Sequence, residues 1–293
     1  MPMIMQFLQQ MPRLRSADNA TTRRRLTLRA MVALTLLSLA STAASAPAPA
    51  AWSLWDDADP SSTATVDHDA WQALLEAHVE TLADGRTIVH YNAFSAADGT
   101  QLDNYLAAVT AIDPRSLNRQ EQLAYWINLY NALTVDLLLE HPKKQSILRI
   151  GGGFLPRGPW DDDITSVAGE TLTLNDIEHR ILRPLFKDRR IHYAVNCASV
   201  GCPNLSPTAY TAANVEAQLA AGERAYLEHP RGLELNNGKL TVSSIFKWYG
   251  EDFAADDAGL LAYFASVRPD LADALKTYQG RLSFAYDWSR NDR

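Results

Sequence analysis

Cys197 and Cys202 are the only thiols in the 293-residue chain, and they stand five positions apart. A thiol becomes a nucleophile when its surroundings favour the thiolate, and an imidazole oriented by a carboxylate or carboxamide is the usual base. His192 precedes Cys197 by five residues, Glu178 and His179 adjoin each other further upstream, and Asn128, Asn131 and Asn196 supply carboxamides. The candidate catalytic residues are therefore Cys197, His179, Glu178, His192 and Asn128, with Asn131 and Asn196 as candidate binding residues. Three states of Cys197 stay open: a disulfide to Cys202, a buried structural thiol, or a reactive thiolate. The disulfide requires a loop that brings the two Cα atoms within about 7 Å.

Metal and phosphate chemistry are not expected. The remaining histidines (His68, His78, His90, His141, His229) lack metal-ligand spacing, and Asp161, Asp162 and Asp163 are adjacent acids that point in different directions. The glycine triplet Gly151–Gly153 lacks the strand, helix and Lys-Ser/Thr context of a phosphate loop. No metal and no cofactor is expected.

These groups must be held by a few recognisable elements. Residues 122–140 read as one helix stopped by Pro142, and their apolar side chains fall on nearly every face. A helix apolar all round is buried all round. Asn128 and Asn131 on it must then find partners, since an unpaired buried amide costs about 1–3 kcal/mol. They either stitch the helix to a neighbouring backbone or line a pocket. Thr173 and Asp176 announce a second helix over 174–182, which carries Glu178 and His179. Residues 191–197 read as a strand; on it His192 and Cys197 would lie about 16 Å apart on opposite faces, leaving His179 as the imidazole free to cross over Cys197. Earlier, Thr100 and Asp103 resemble a capping box. Later, Asn237-Gly238 predicts a two-residue hairpin that pairs Leu235 with Leu240 and Leu233 with Val242. A last strand alternates Leu282, Phe284, Tyr286 and Trp288. Helices come early and antiparallel-type strands late, so the fold class is α+β: a buried central helix with surrounding helices packed on a mainly antiparallel sheet.

Charge and composition set the context. Residues 1–46 carry six basic side chains and one acid, while the rest of the chain is strongly acidic within an overall net charge of −7. An acidic body repels nucleic acid, which is not expected as a partner. The arginines at 23, 24, 25 and 29 precede an apolar run over 30–40, about half of what a membrane-spanning helix needs, and then small residues. Residues 1–46 are thus expected to be a signal peptide cleaved after Ala44, Ala46 or Ala50, leaving no membrane anchor and a periplasmic or secreted protein. Ala-Pro repeats and Ser/Thr/Asp-rich residues over 47–65 predict a flexible linker. Residues 66–293 then form a single α+β domain.

Several strings together resemble the bacterial branch of the domain of unknown function 547 family: Tyr125 to Ala132, Leu174 to Arg183, Ile191 to Cys197 with Cys202-Pro203, Ser244 to Tyr249 with Asp252-Phe253, and Tyr286-Asp287-Trp288. The family carries no agreed activity, so the resemblance implies no particular reaction; its members often follow an export signal, as is expected here. Two functions remain. One is a non-catalytic binding or scaffold module for a small molecule, a peptide, a glycan or a protein. The other is a thiol-dependent hydrolase or acyl transferase of papain- or transglutaminase-like kind, although those folds place the nucleophile at the start of the central helix, where this chain has no cysteine.

Overall fold

A computed structural model of the chain describes residues 46–151 and 157–292. The segment expected to be a signal peptide (apart from Ala46), and Gly152 and Gly153 of the glycine triplet, lie outside the described residues. The described part is an α+β protein.

Helix α1 (Asp69–His78) runs into an antiparallel pair, β1 (Val79–Thr81) and β2 (Thr87–Val89). Helix α2 (Ala96–Thr110) opens one turn earlier than its sequence predicts. Ser95 and Asp98 form the capping box, whereas Thr100 sits inside the helix and donates its hydroxyl to the Ala96 carbonyl. Helix α3 (Arg119–Glu140) is the predicted central rod, with the Asn118 side chain accepting the Glu121 N–H at its start. Every residue from Glu121 through Val135 is buried.

The strands form three small sheets rather than one. A hairpin of β3 (Thr165–Val167) and β4 (Glu170–Leu172) turns through Ala168 and Gly169, both at positive φ. The second predicted helix is a π-type helix over Asp176–Phe186, opened by reciprocal Thr173–Asp176 hydrogen bonds and accommodating Pro184, which has no N–H to donate.

Residues 191–197 do not form the expected strand. Arg189–Tyr193 coil into a 3₁₀ turn, because the Asp188 carboxylate caps it by accepting the Arg190 N–H at 2.8 Å. The Ala194 and Val195 N–H groups both return to the Ile191 carbonyl, so none of this segment is left to pair with a sheet.

Helix α4 (Val215–Glu228) leads to β5 (Leu233–Asn236) and β6 (Lys239–Ser243), whose register is the predicted one, with Asn237 and Gly238 both at positive φ. Short helices α5 (Ile245–Trp248) and α6 (Gly250–Phe253) precede α7 (Asp257–Val267) and α8 (Ala272–Lys276). Strand β7 (Ser283–Ala285) joins β6 in parallel. It is shorter than predicted, because residues 287–289 leave the sheet and take the Val200 and Gly201 N–H groups instead.

Two apolar cores result. The larger surrounds α3, and the smaller lies among α4, α7 and the β5–β7 sheet. Residues 47–65, expected as a flexible linker, are mostly exposed but are pinned to the first core at Trp55, with Trp52 and Leu54 packed against it. Trp55 is 1% exposed and meets Trp126 edge-on, while the Ala50 and Trp52 N–H groups bond the carbonyls of His179 and Arg180. Burial of Trp55 and Val66 outweighs the linker-like composition around them.

Candidate active site

A small cavity of about 60 Å³ opens at the seam between the two cores. Val195 and Tyr130 contribute from the first core, and Ile245 from the second. Trp160, Trp248, Tyr249, Tyr286 and Trp288, all partly exposed, form much of its wall. Cys197, Cys202, Glu178 and His192 are its chemically active lining.

Cys197 sits in a tight turn that begins where the 3₁₀ segment ends. Ala198 follows at φ 56°, with its N–H held by the Asn196 side chain. Gly201 packs this turn against the chain just after β7: a Cβ there would lie 2.7 Å from the Asp287 nitrogen. The close approach delivers Tyr286, whose hydroxyl lies 3.1 Å from the Cys197 sulfur and 3.0 Å from Ser199 Oγ. Ser199 Oγ is itself 3.2 Å from that sulfur.

Cys197 and Cys202 are free thiols with their sulfurs 3.0 Å apart. When Cys197 ionises, the proton remaining on Cys202 faces it. That hydrogen bond lowers the Cys197 pKa against the opposing effect of burial, and the Ser199 and Tyr286 hydroxyls lower it further. Burial and the neighbouring Cys197 push the Cys202 thiol the other way. The two sulfurs thus differ: Cys197 is the one that gives up its proton more readily, and Cys202 the one that keeps it.

The imidazole of His192 lies between the rings of Tyr249 and Phe253, with centroids at 4.2 and 5.3 Å. Its Nε2 is 2.6 Å from Asp252 Oδ2, and its Nδ1 is 3.7 Å from Glu178 Oε1. Tyr130 donates its hydroxyl to the other Glu178 oxygen at 3.2 Å. Behind Asp252, the buried Arg183 guanidinium donates to Asp252 and Glu251 and to the Pro47 carbonyl. Burial alone would raise the Asp252 carboxyl, but the His192 and Arg183 hydrogen bonds outweigh it and bring the pKa down to about 2. A carboxylate that fixes one imidazole nitrogen leaves the other available for proton transfer.

The expected residues divide into two groups. Cys197, Glu178 and His192 converge on the cavity. The opposite-face argument against His192 fails, because the segment is coiled and not extended. His179 does not cross over Cys197; its Nδ1 accepts from Arg183 at 3.1 Å, and burial, more than the arginine's charge, lowers its pKa. No imidazole hydrogen-bonds the Cys197 sulfur among the described residues.

The three asparagines stitch backbone. Asn128 grips both the carbonyl and the N–H of Tyr210; Asn131 takes the Ala194 carbonyl and the Asn196 N–H; Asn196 bonds the Pro203 carbonyl and the Ala198 N–H. Asn128 therefore stands away from the thiol, and Asn131 and Asn196 shape the cysteine turn without lining the cavity.

Sequence reasoning missed Asp252, Ser199, Tyr286 and the three tryptophans as site residues. The strings Asp252-Phe253 and Tyr286-Asp287-Trp288 carried the signal, but nothing local connects them to a cysteine many residues earlier.

The fold and this cleft define an α+β protein with a cysteine, a histidine and two carboxylates gathered at the seam of two cores. The family described as "Protein of unknown function, DUF547" matches residues 114–227, and the chain belongs to that family. The match includes Glu178, His192, Cys197 and Cys202, whereas Asp252, Tyr286 and Trp288 lie beyond it. No curated protein and no solved structure matches the chain. Among the described residues, no helix is long and apolar enough to cross a membrane.

Proposed function

We propose that the protein is an exported, thiol-dependent enzyme that hydrolyses or transfers an acyl group. One observation carries the reading: the Cys197 sulfur, held by Cys202, Ser199 and Tyr286, shares a cavity with an imidazole anchored by Asp252. In the proposed cycle, His192 Nδ1 takes the Cys197 proton. The thiolate attacks the acyl carbon and an S–C bond forms. The bond to the leaving amine or alcohol breaks, and the leaving group receives the proton from His192. Water, or an amine acceptor, then attacks the thioester and gives its proton to His192; the S–C bond breaks, the acid or amide leaves, and His192 returns the proton to the sulfur.

Glu178, 4% exposed and facing His192, stabilises the imidazolium formed in both steps. Export, with release from a leader over residues 1–46, rests on the basic and apolar pattern of that segment. In an oxidising compartment, exchange with a donor disulfide would join Cys197 to Cys202 and silence the nucleophile, so the working form has both thiols reduced.

The test is acylation of the full chain by an activated ester, followed by intact and peptide mass. A stoichiometric adduct on Cys197 that Cys197→Ala abolishes and Cys202→Ala retains supports the proposal. Absence of any adduct on reduced, folded protein overturns it. A second reading, a non-catalytic binding module, draws on Asn128, Asn131 and Asn196, whose amides all serve backbone. It is favoured if the reduced protein binds a partner without acylating.

A further inference from the structure

Resting on the thiol-enzyme reading, we infer that the substrate presents its acyl carbon at the end of a slender, unbranched arm. A terminal carboxamide, or a terminal ester or thioester, meets this condition; an internal amide of a polypeptide backbone does not. Trp160, Trp248 and Trp288 set the limit.

Size is the first argument. The cavity holding Cys197 measures about 60 Å³. An apolar protein cavity of about 150 Å³ takes up a benzene molecule, so this one receives a group smaller than a benzene ring. A planar carboxamide on a methylene chain is that small. A main-chain amide brings a branched Cα on either side of the reacting carbon and cannot reach the sulfur.

The walls are also fixed in place. Trp288 meets Trp160 at 5.8 Å and Trp248 at 5.4 Å between centroids, and Tyr286 meets Trp248 at 4.8 Å, so each ring braces another. Trp160 rests on Gly158, at φ +77°, where a Cβ would fall 1.9 Å from the indole ring. Opening the mouth means breaking several aromatic contacts together. A second approach is closed by the layout. The groove of about 740 Å³ bordered by Arg183 and Asp252 is far roomier, yet neither Cys197 nor His192 lines it.

The experiment needs no knowledge of the substrate. Reduced full-length protein is alkylated with iodoacetamide, a slender carboxamide reagent, and separately with N-(1-naphthyl)maleimide, a bulky one. Modification of Cys197 is followed by peptide mass, and each rate is divided by the rate of the same reagent with glutathione. The expected result is a normalised preference for iodoacetamide of about tenfold or more. Trp288→Ala brings the normalised rate of the naphthyl reagent to within about threefold of that of the slender one. Trp248→Phe, which keeps a ring in place, serves if Trp288→Ala does not fold, and is expected to move the ratio part of the way.

Equal normalised rates on the unaltered protein overturn the size limit and leave the thiol reading standing. A preference that neither tryptophan variant relaxes overturns the assignment to these rings. If neither reagent modifies Cys197 in folded protein but both do after denaturation, the thiol reading itself fails, and the inference with it.

Discussion

One oxygen of Asp252 serves two partners: Oδ2 lies 2.6 Å from His192 Nε2 and 2.6 Å from Arg183 Nε. The imidazole is thereby tied to a buried cation as well as to the carboxylate, and its orientation depends on all three groups together.

Asp252→Asn should therefore harm chemistry more than binding. The amide can present its NH₂ to Nε2 and favour the wrong tautomer, so acylation of Cys197 by an activated ester is expected to slow by on the order of 10²-fold or more. Arg183 keeps Glu251 and the Pro47 carbonyl, so the variant is expected to fold. Circular dichroism and the acylation rate together check this; an unchanged rate removes His192 from the cycle.

The sulfur should titrate below an ordinary thiol. Alkylation of Cys197 followed against pH is expected to give a midpoint under the usual 8.5 or so. Cys202→Ala deletes the leading donor and should move that midpoint upward, with Tyr286→Phe moving it in the same direction by less. A midpoint unaffected by Cys202→Ala contradicts the assigned roles of the two sulfurs.

A separate pH effect belongs to His68. Its Nδ1 contacts the Tyr105 hydroxyl at 2.7 Å, its Nε2 is buried without a partner, and burial depresses its pKa to about 4. The unfolded chain takes up a proton near pH 6.5, whereas the folded chain does so only near 4. Stability is therefore lost as pH falls from 6.5 towards 4, by up to about 3 kcal/mol. Chemical denaturation of the wild type and His68→Gln across that window checks it. The variant should show a flatter pH dependence there.

Asp136 on α3 has the opposite sign. Burial, with Glu140 and Asp103 nearby, raises its carboxyl to about 6. The folded state holds its proton longer than the unfolded state, so stability falls as pH rises from about 4 to 6. Asp136→Asn should stabilise the protein at pH 7 by on the order of 1 kcal/mol, a figure reduced for solvent screening, and should have no effect at pH 3.

Trp55 tests the segment that reads as a linker. If its burial against Trp126 is structural, Trp55→Ala should cost about 3–5 kcal/mol in denaturant unfolding. A loss below 1 kcal/mol or so would mean that the segment can leave the core at little expense.

These residues also show where sequence reasoning reaches and where it stops. The Asn237-Gly238 hairpin and helix α3 were legible because a two-residue turn and an all-round apolar run are local signals. The need of Asn128 and Asn131 for partners was legible too, but their choice of the Tyr210 and Ala194 carbonyls depends on segments more than sixty residues away. The strand reading of 191–197 followed β-rich composition and overlooked Asp188, whose side chain nucleates the turn. Over 47–65, Pro, Ala and Ser concealed Trp52 and Trp55, the residues that decide its placement. Asp252 and Tyr286 join the site only through tertiary contacts, so the set around the sulfur could not be assembled from sequence spacing.

Tyr286 and Cys197 are 89 positions apart, and the Gly201 contact that joins their segments forms only when both have taken their native course. A newly made or partly unfolded chain accordingly carries a sluggish cysteine of ordinary acidity. On the proposed reading, reactivity would arrive with the finished fold, which would shield immature chains from adventitious acylation and make the sulfur itself a reporter of correct maturation.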